Sequence, residues 1–256
     1  MQSIPQLVLN LAYGAAIGGA LGLTGTGGSI LAVPTLVYLV GQDVHTAIGT
    51  SLAVVGGIAA EGVVGQRDTV QWKDGLLLGL FGIAGSIPGS LLSPYVSSST
   101  LMLSFSVLAI AASISMLLSR RSDAPQDANA AIWMVLIAGI GIGFLTGFLG
   151  VGVGFLIVPT MVFAFACSMQ AAIATSLLVI AFNSFVGLGT RFAAASIDWT
   201  VVGAFLVGGL VGNTAAAMLV PRLDQRHLKR IFAVFILLVG LFTAASATGL
   251  IPISIK

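Results

Sequence analysis

Two clusters of glycine and hydroxyl residues are the part of this chain best suited to hold a small ligand. The first contains Gly25, Thr26, Gly27, Gly28 and Ser29, and the second contains Gly150 and Gly152. Successive glycines leave backbone N–H groups free of side-chain cover, and a helix starting there points its positive end at them. Such a loop suits a small anion. Thr24, Thr26 and Ser29 add hydroxyls in the first cluster, where the second has Leu149, Val151 and Gly154, so the two halves differ chemically. The alternative is close helix packing alone, because small residues let backbones approach in lipid. The G-x-x-G-x-G spacing superficially matches a dinucleotide fingerprint, but that requires a preceding strand and a βαβ unit, and none is expected here.

Other polar groups fall inside apolar stretches. Thr50-Ser51 and Thr175-Ser176 are candidate ligand contacts, although intramembrane hydroxyls also bond their own helix carbonyls. Asn183 lies midway along an apolar segment and needs a partner or water there. Glu61 is the only glutamate and a candidate for ion coupling; the competing reading pairs it with Arg67 or Lys73 near the interface. Arg67 and Arg191 precede Trp72 and Trp199, which reads either as interfacial anchoring or as an anion gate.

Enzyme chemistry finds little support. His45 and His227 are expected in loops, no carboxylate pair lies within an apolar segment, and no nucleotide-binding sequence is present. The lone Cys167 offers neither a disulfide nor a metal cluster, and no cofactor or metal is expected. A net charge of +2 with no separate basic patch gives no reason to expect nucleic acid.

The elements that must position these residues follow from composition. Charged residues are 7% of the chain and hydrophobic residues 57%, too few charges to solvate a soluble surface of 256 residues. The class is an all-α polytopic membrane protein. Ten apolar segments are predicted, at 6–23, 28–41, 46–65, 75–95, 101–119, 131–149, 153–168, 171–190, 199–220 and 228–249. The N-terminus lacks a basic n-region, so the first segment is expected to be retained. Segments 28–41 and 153–168 are short and carry Pro34 and Pro159, which predicts tilted, broken or re-entrant helices.

The segments form two copies of one unit. Residues 22–37, GLTGTGGSILAVPTLV, repeat at 147–162 as GFLGVGVGFLIVPTMV. The identities fall at Gly22, Gly25, Gly27, Leu31, Val33, Pro34, Thr35 and Val37 and their partners 125 residues on. AIGTSLA at 47–53 then faces AIATSLL at 172–178, and Trp72, Gly85 and Pro94 match Trp199, Gly212 and Pro221 at an offset of 127. The chain is therefore expected to be one transmembrane domain over 1–256, with repeats 6–119 and 131–249 joined by a polar linker at 120–130. Five crossings per copy would force the second upside down; four would leave the copies parallel. With ten crossings and the N-terminus outside, Arg67, Lys73, Arg120, Arg121, Arg222, Arg226, Lys229 and Arg230 lie inside, and only Arg191 and Lys256 outside. Loop charge thus favours inverted copies.

These paired motifs, with S-I-D-W at 196–199 and the basic start of the last segment at 222–235, resemble the TauE/SafE family. That resemblance implies a bacterial inner-membrane permease exporting sulfite, sulfoacetate or a related organosulfur anion, with four spans per repeat. The count agrees with ten segments only if the short ones are re-entrant. The expected function is secondary transport by alternating access of the repeats around a midplane site. That site would draw on Gly25 to Ser29, Thr50, Ser51, Gly150, Gly152, Thr175, Ser176 and Asn183. Expected partners are the anion, the lipid bilayer, a coupling ion such as the proton, and a second copy in a homodimer. The alternatives are a passive anion channel and a scaffold subunit of another membrane complex.

Overall fold

A computed structural model describes residues 4–42, 44–92, 95–96, 98–118, 132–149, 156–163, 165, 167–191 and 197–247. Among these, ten α-helices form and there is no strand. They are α1 (Ile4–Thr24), α2 (Gly27–Pro34), α3 (Val44–Gly65), α4 (Trp72–Leu92), α5 (Ser98–Leu118), α6 (Ile132–Leu149), α7 (Ile157–Phe163), α8 (Met169–Arg191), α9 (Trp199–Leu219) and α10 (Gln225–Ala247). Five of them hold stretches long and apolar enough to cross a bilayer: Pro5–Thr24, Thr46–Gly65, Met169–Gly189, Trp199–Leu219 and Arg226–Ala245. An all-helical solution suits the solvent, because in hydrocarbon each backbone polar group needs a partner in the protein and a helix supplies it within its own segment.

The helices fall into two compact units interleaved in sequence. One takes Met1–Gly79 with Gln170–Asp224, the other Leu80–Met169 with Gln225–Lys256. Neither unit coincides with a sequence copy; each draws helices from both.

In the first unit, α1 packs along α9 with almost no side chain between them. A Cβ at Gly14 would overlap the backbone of Phe205, one at Gly18 that of Gly209, and one at Gly212 that of Ala15. Apolar burial gives little net drive between helices already in lipid, so close backbone approach and dispersion carry the association. Register then fixes direction. Gly14, Gly18 and Gly22 meet Phe205, Gly209 and Asn213, so α1 and α9 are parallel. Gly57, Ile58 and Glu61 meet Leu206, Gly209 and Asn213, so α3 runs with them. Against α3, α8 is antiparallel, with Leu52 at Gly187, Gly56 at Ser184 and Gly62 at Leu177. The start of α4 runs with α8, Gly75 meeting Thr175 and Gly79 meeting Phe182.

Because α1 and α3 point the same way, residues 25–42 carry the chain back from one end of this bundle toward the other. The sequence expected this segment to be tilted, broken or re-entrant, and its α-helix is interrupted at Pro34. Pro34 has no N–H to give Ile30, and the helix widens into one π turn, Thr35–Leu39, closed by Val40 N–H on Thr35 O at 3.2 Å. Gly41 then turns with φ +79°, and Gln42 N–H caps Leu36 O at 3.0 Å. The second copy's α7 begins two residues before its Pro159.

In the second unit, α6 packs on the latter part of α4: Gly143 meets Gly82, Gly85 meets Ile140, and Gly89 meets Phe144. Helices α5 and α10 are antiparallel, joined by the Ser113 hydroxyl donating to Ala233 O at 2.7 Å, with Gly240 facing Ala109 and Ile110.

Several of these contacts are reciprocal under the sequence offsets. Gly62–Leu177 becomes Leu52–Gly187 when each residue is exchanged for its counterpart 125 positions away. Gly18–Gly209 becomes Gly143–Gly82, and Gly57–Leu206 becomes Phe182–Gly79, the bulky member changing helix.

Two predictions follow from this packing. Gly18→Leu is expected to lower the thermal midpoint of the purified protein sharply, since overpacking costs about 1–3 kcal/mol or more. Gly203→Ala meets open space and should stay within about 0.5 kcal/mol of the parent. Second, Gly25 and Gly41 both have positive φ, at +74° and +79°. Gly41→Ala has no neighbour within 4 Å and should cost only backbone strain, about 1–2 kcal/mol. Gly25→Ala also drives a methyl into Ser176 and should lower the midpoint further.

Candidate functional site

The break between α1 and α2 is built around Thr24. Its hydroxyl donates to Ala20 O at 2.6 Å and accepts Gly27 N–H at 2.7 Å, so it caps α2 from the end of the preceding helix. Gly25 N–H donates to Leu21 O at 2.6 Å, and Ser29 N–H to Thr26 O at 3.2 Å. The amides expected to face an anion at Gly25 and Gly27 are therefore bonded within the loop itself. The reason is local: a hydroxyl three residues before Gly27 reaches its N–H without leaving the chain.

Hydroxyl groups divide into spent and unspent. Ser29 Oγ donates to Thr26 O at 2.7 Å and Ser51 Oγ to Ile48 O at 2.8 Å. Ser176 Oγ lies 2.7 Å from Ile173 O and 2.9 Å from Gly25 O, tying α8 to the break. Thr175 Oγ1 accepts Gln71 N–H at 3.0 Å and anchors the entry to α4. Thr26 Oγ1 and Thr50 Oγ1 have no hydrogen-bond partner although both residues are fully buried. Asn183 Oδ1, on half-buried Asn183, is also unpartnered. Each such atom costs about 1–3 kcal/mol if it stays dry, so each is a place for water or a ligand.

These residues do not share one point. Gly25 and Ser176 lie at the level where Gly62 of α3 meets Leu177, whereas Thr50 and Ser51 lie at the level of Gly187. Twelve residues of α3 separate the levels, a rise of about 18 Å. Asn183 lies between them, beside Ser184, which meets Gly56 near the middle of α3. The structure thus places the expected contacts on two layers along the α3–α8 seam with Asn183 in between. Gly150 and Gly152 lie outside the described residues.

Glu61 has neighbours that the sequence reading missed. Asn213 Nδ2 donates to Glu61 Oε2, and Thr214 Oγ1 lies 3.0 Å from Glu61 Oε1, both from α9. Asn213 is fully buried, and its Nδ2 also lies 3.5 Å from Ile58 O. Gly22 and Gly62 make room for it; a Cβ at either would come within 2.6 and 2.9 Å of the amide. Asn213 satisfied the criterion that singled out Asn183, a polar side chain inside an apolar helix, and that signal would have found it. Arg67 is not the partner of Glu61. It pairs with Asp68 at 3.7 Å, both largely exposed, and its carbonyl accepts Trp72 Nε1–H at 3.2 Å. Arg191 is the last residue of α8. No group of three or more His, Cys, Asp or Glu residues is placed to hold a metal among the described residues.

Comparison with known proteins agrees with this multi-pass helical architecture. The model of the sulfite exporter TauE/SafE family matches residues 10–243. A probable membrane transporter protein of Xylella fastidiosa is 32% identical over 252 residues, covering 94% of this chain and 95% of its own. The probable membrane transporter protein YunE of Bacillus subtilis is 29% identical over 256 residues, covering 88% and 92%. MJ0441 of Methanocaldococcus jannaschii, also a probable membrane transporter protein, is 30% identical over 179 residues, 66% of this chain and 67% of its own. No solved structure matches. With a family match spanning nearly its full length, this multi-pass membrane protein belongs to the sulfite exporter TauE/SafE family.

Proposed function

We propose that this chain is a secondary transporter that exports a small oxyanion, sulfite or an organosulfonate such as sulfoacetate, through the seam between α3 and α8. The observation that carries this reading is the set of buried, unpartnered polar atoms along that seam. Thr26 stands beside the Gly25–Ser176 contact, Asn183 near the middle, and Thr50 at the far layer. The Thr26 and Thr50 hydroxyls can donate to an oxyanion without bringing a cation into the membrane, and Asn183 Oδ1, an acceptor, can hold a water beside it.

The two layers are read as two half-sites, each drawing on both repeats, and the repeats as inverted. Supporting this, α3 and its counterpart α8 are antiparallel, as are the start of α4 and its counterpart α9 through their shared neighbours. An inverted pair can present the same half-site to either side in turn, which is the geometry of alternating access. The family description supports sulfite as the cargo, and the length of the seam supports a stepwise passage.

The test is flux from proteoliposomes with sulfite, sulfoacetate, thiosulfate and sulfate compared side by side. Sulfite or sulfoacetate should saturate and compete with each other. Asn183→Ala and Thr50→Val are expected to reduce the flux about tenfold or more, each removing a hydrogen-bonding group worth about 1–3 kcal/mol to a bound anion. Saturable flux at parental rates in both variants would remove these residues from the pathway, and flux that never saturates would replace the carrier with a channel.

A further inference from the structure

Glu61 and Asn213 meet at the level of the α1–α2 break. Gly22 of α1 lies against the Asn213 side chain, Gly62 of α3 against both Asn213 and Leu177, and Ser176 of α8 against Gly25. These contacts close a ring through α1, α9, α3 and α8 that contains one acidic group. We propose that Glu61 and Asn213 form a proton-binding site in which the Asn213 amide reads the charge of the carboxyl. The site rests on the transport reading only for what the proton drives.

As placed, Asn213 Nδ2 faces two acceptors, Glu61 Oε2 and Ile58 O, while the Thr214 hydroxyl stands 3.0 Å from Oε1 and 2.8 Å from Leu210 O and can donate to only one of them. The amide N–H contact is one that an ionised carboxylate accepts. Asn213 Oδ1 is buried, has no donor, and lies against Gly22. When Glu61 takes up a proton, its new O–H must donate, and Nδ2 becomes the wrong partner. Rotating the amide by half a turn brings Oδ1 to the carboxyl proton and moves Nδ2 toward Gly22 and away from Ile58 O. One proton thus satisfies the idle acceptor and breaks a link between α9 and α3.

Surrounding charges do not compete. α1, α2, the π turn and α9 contain no Asp, Glu, Lys, Arg or His; α8 has only Arg191, its last residue; and α3 has only His45, at its start. Lys73 and Asp74 open α4, and Arg67 with Asp68 lies on the exposed turn beyond α3. The site draws on both copies and has no symmetry mate. Counterparts of Glu61 and Asn213 under the two offsets are Val186 and Ser86, and the Ser86 hydroxyl donates to its own helix at Ile83 O.

The test is an infrared pH titration of the purified chain in lipid nanodiscs, run beside proton and sulfite flux in proteoliposomes. A protonated-carboxyl stretch should rise as pH falls in the parent and be missing in Glu61→Gln. Asn213→Ala removes the amide that faces the carboxyl and should change the titration curve relative to the parent. Thr214→Val, at an exposed position, should change it by less, and reports even where Asn213→Ala does not fold. An unchanged titration in Glu61→Gln, or unmoved midpoints in the folded amide and hydroxyl variants, overturns the site. Displacement of the band by sodium at constant pH overturns the assignment to a proton. A parent that titrates through Glu61 but moves no sulfite keeps this site and refutes the transport reading. Sulfite flux without a Glu61 band does the reverse.

Discussion

The direct contact of α1 with α9 is the constraint on which the rest of the first unit depends. Glycines on both helices allow backbone to rest on backbone, and that contact fixes spacing, register and direction together. Once α1 and α9 are parallel and α3 is laid beside α9, residues 25–42 have one course. They return the chain toward the end where α1 began, within one short helix and one π turn. Space for Asn213 follows from the same contact, because Gly22 continues the row that begins at Gly14 and Gly18. A side chain at Gly22 would push the amide off Glu61.

Polar chemistry in this protein is organised by local economy. Most intramembrane hydroxyls bond a carbonyl one turn back, as Ser29, Ser51 and Ser86 do, and this is the low-energy course where water is scarce. Thr24 goes further by capping α2 across the break. The groups left over are few, and they stand at layers rather than at random along the helices. That contrast gives Thr26, Thr50 and Asn183 their interest, since neighbours of the same chemistry found partners within their own segments.

Much of the fold was legible because hydropathy and breakers act locally. Pro34 marked the discontinuity in the second segment, and Trp72 and Trp199 marked the starts of α4 and α9 to within a few residues. The offset of 125 was legible for the same reason, since motifs survive as strings. The site was less legible because its contacts are long-range. Nothing near Glu61 in sequence announces Asn213, 152 residues later, and the nearby Arg67 and Lys73 gave a plausible wrong partner. That the Gly25 and Gly27 amides bond Leu21 O and Thr24 Oγ1 depends on the local turn, which a string of glycines does not display. Placing both Thr-Ser pairs at one point failed because antiparallel counterparts lie at equal heights only at the crossing point, near Gly57 and Phe182.

The pairing of Glu61 and Asn213 with Val186 and Ser86 bears on ancestry. A homodimer built from a single repeat has one gene for both halves, so an acid placed in one half appears in the other. Two carboxylates would then sit in the membrane and each would need its own donors. Fusing the copies into one chain frees each half to mutate separately. An acid can then be kept in one half while valine stands at the matching position of the other.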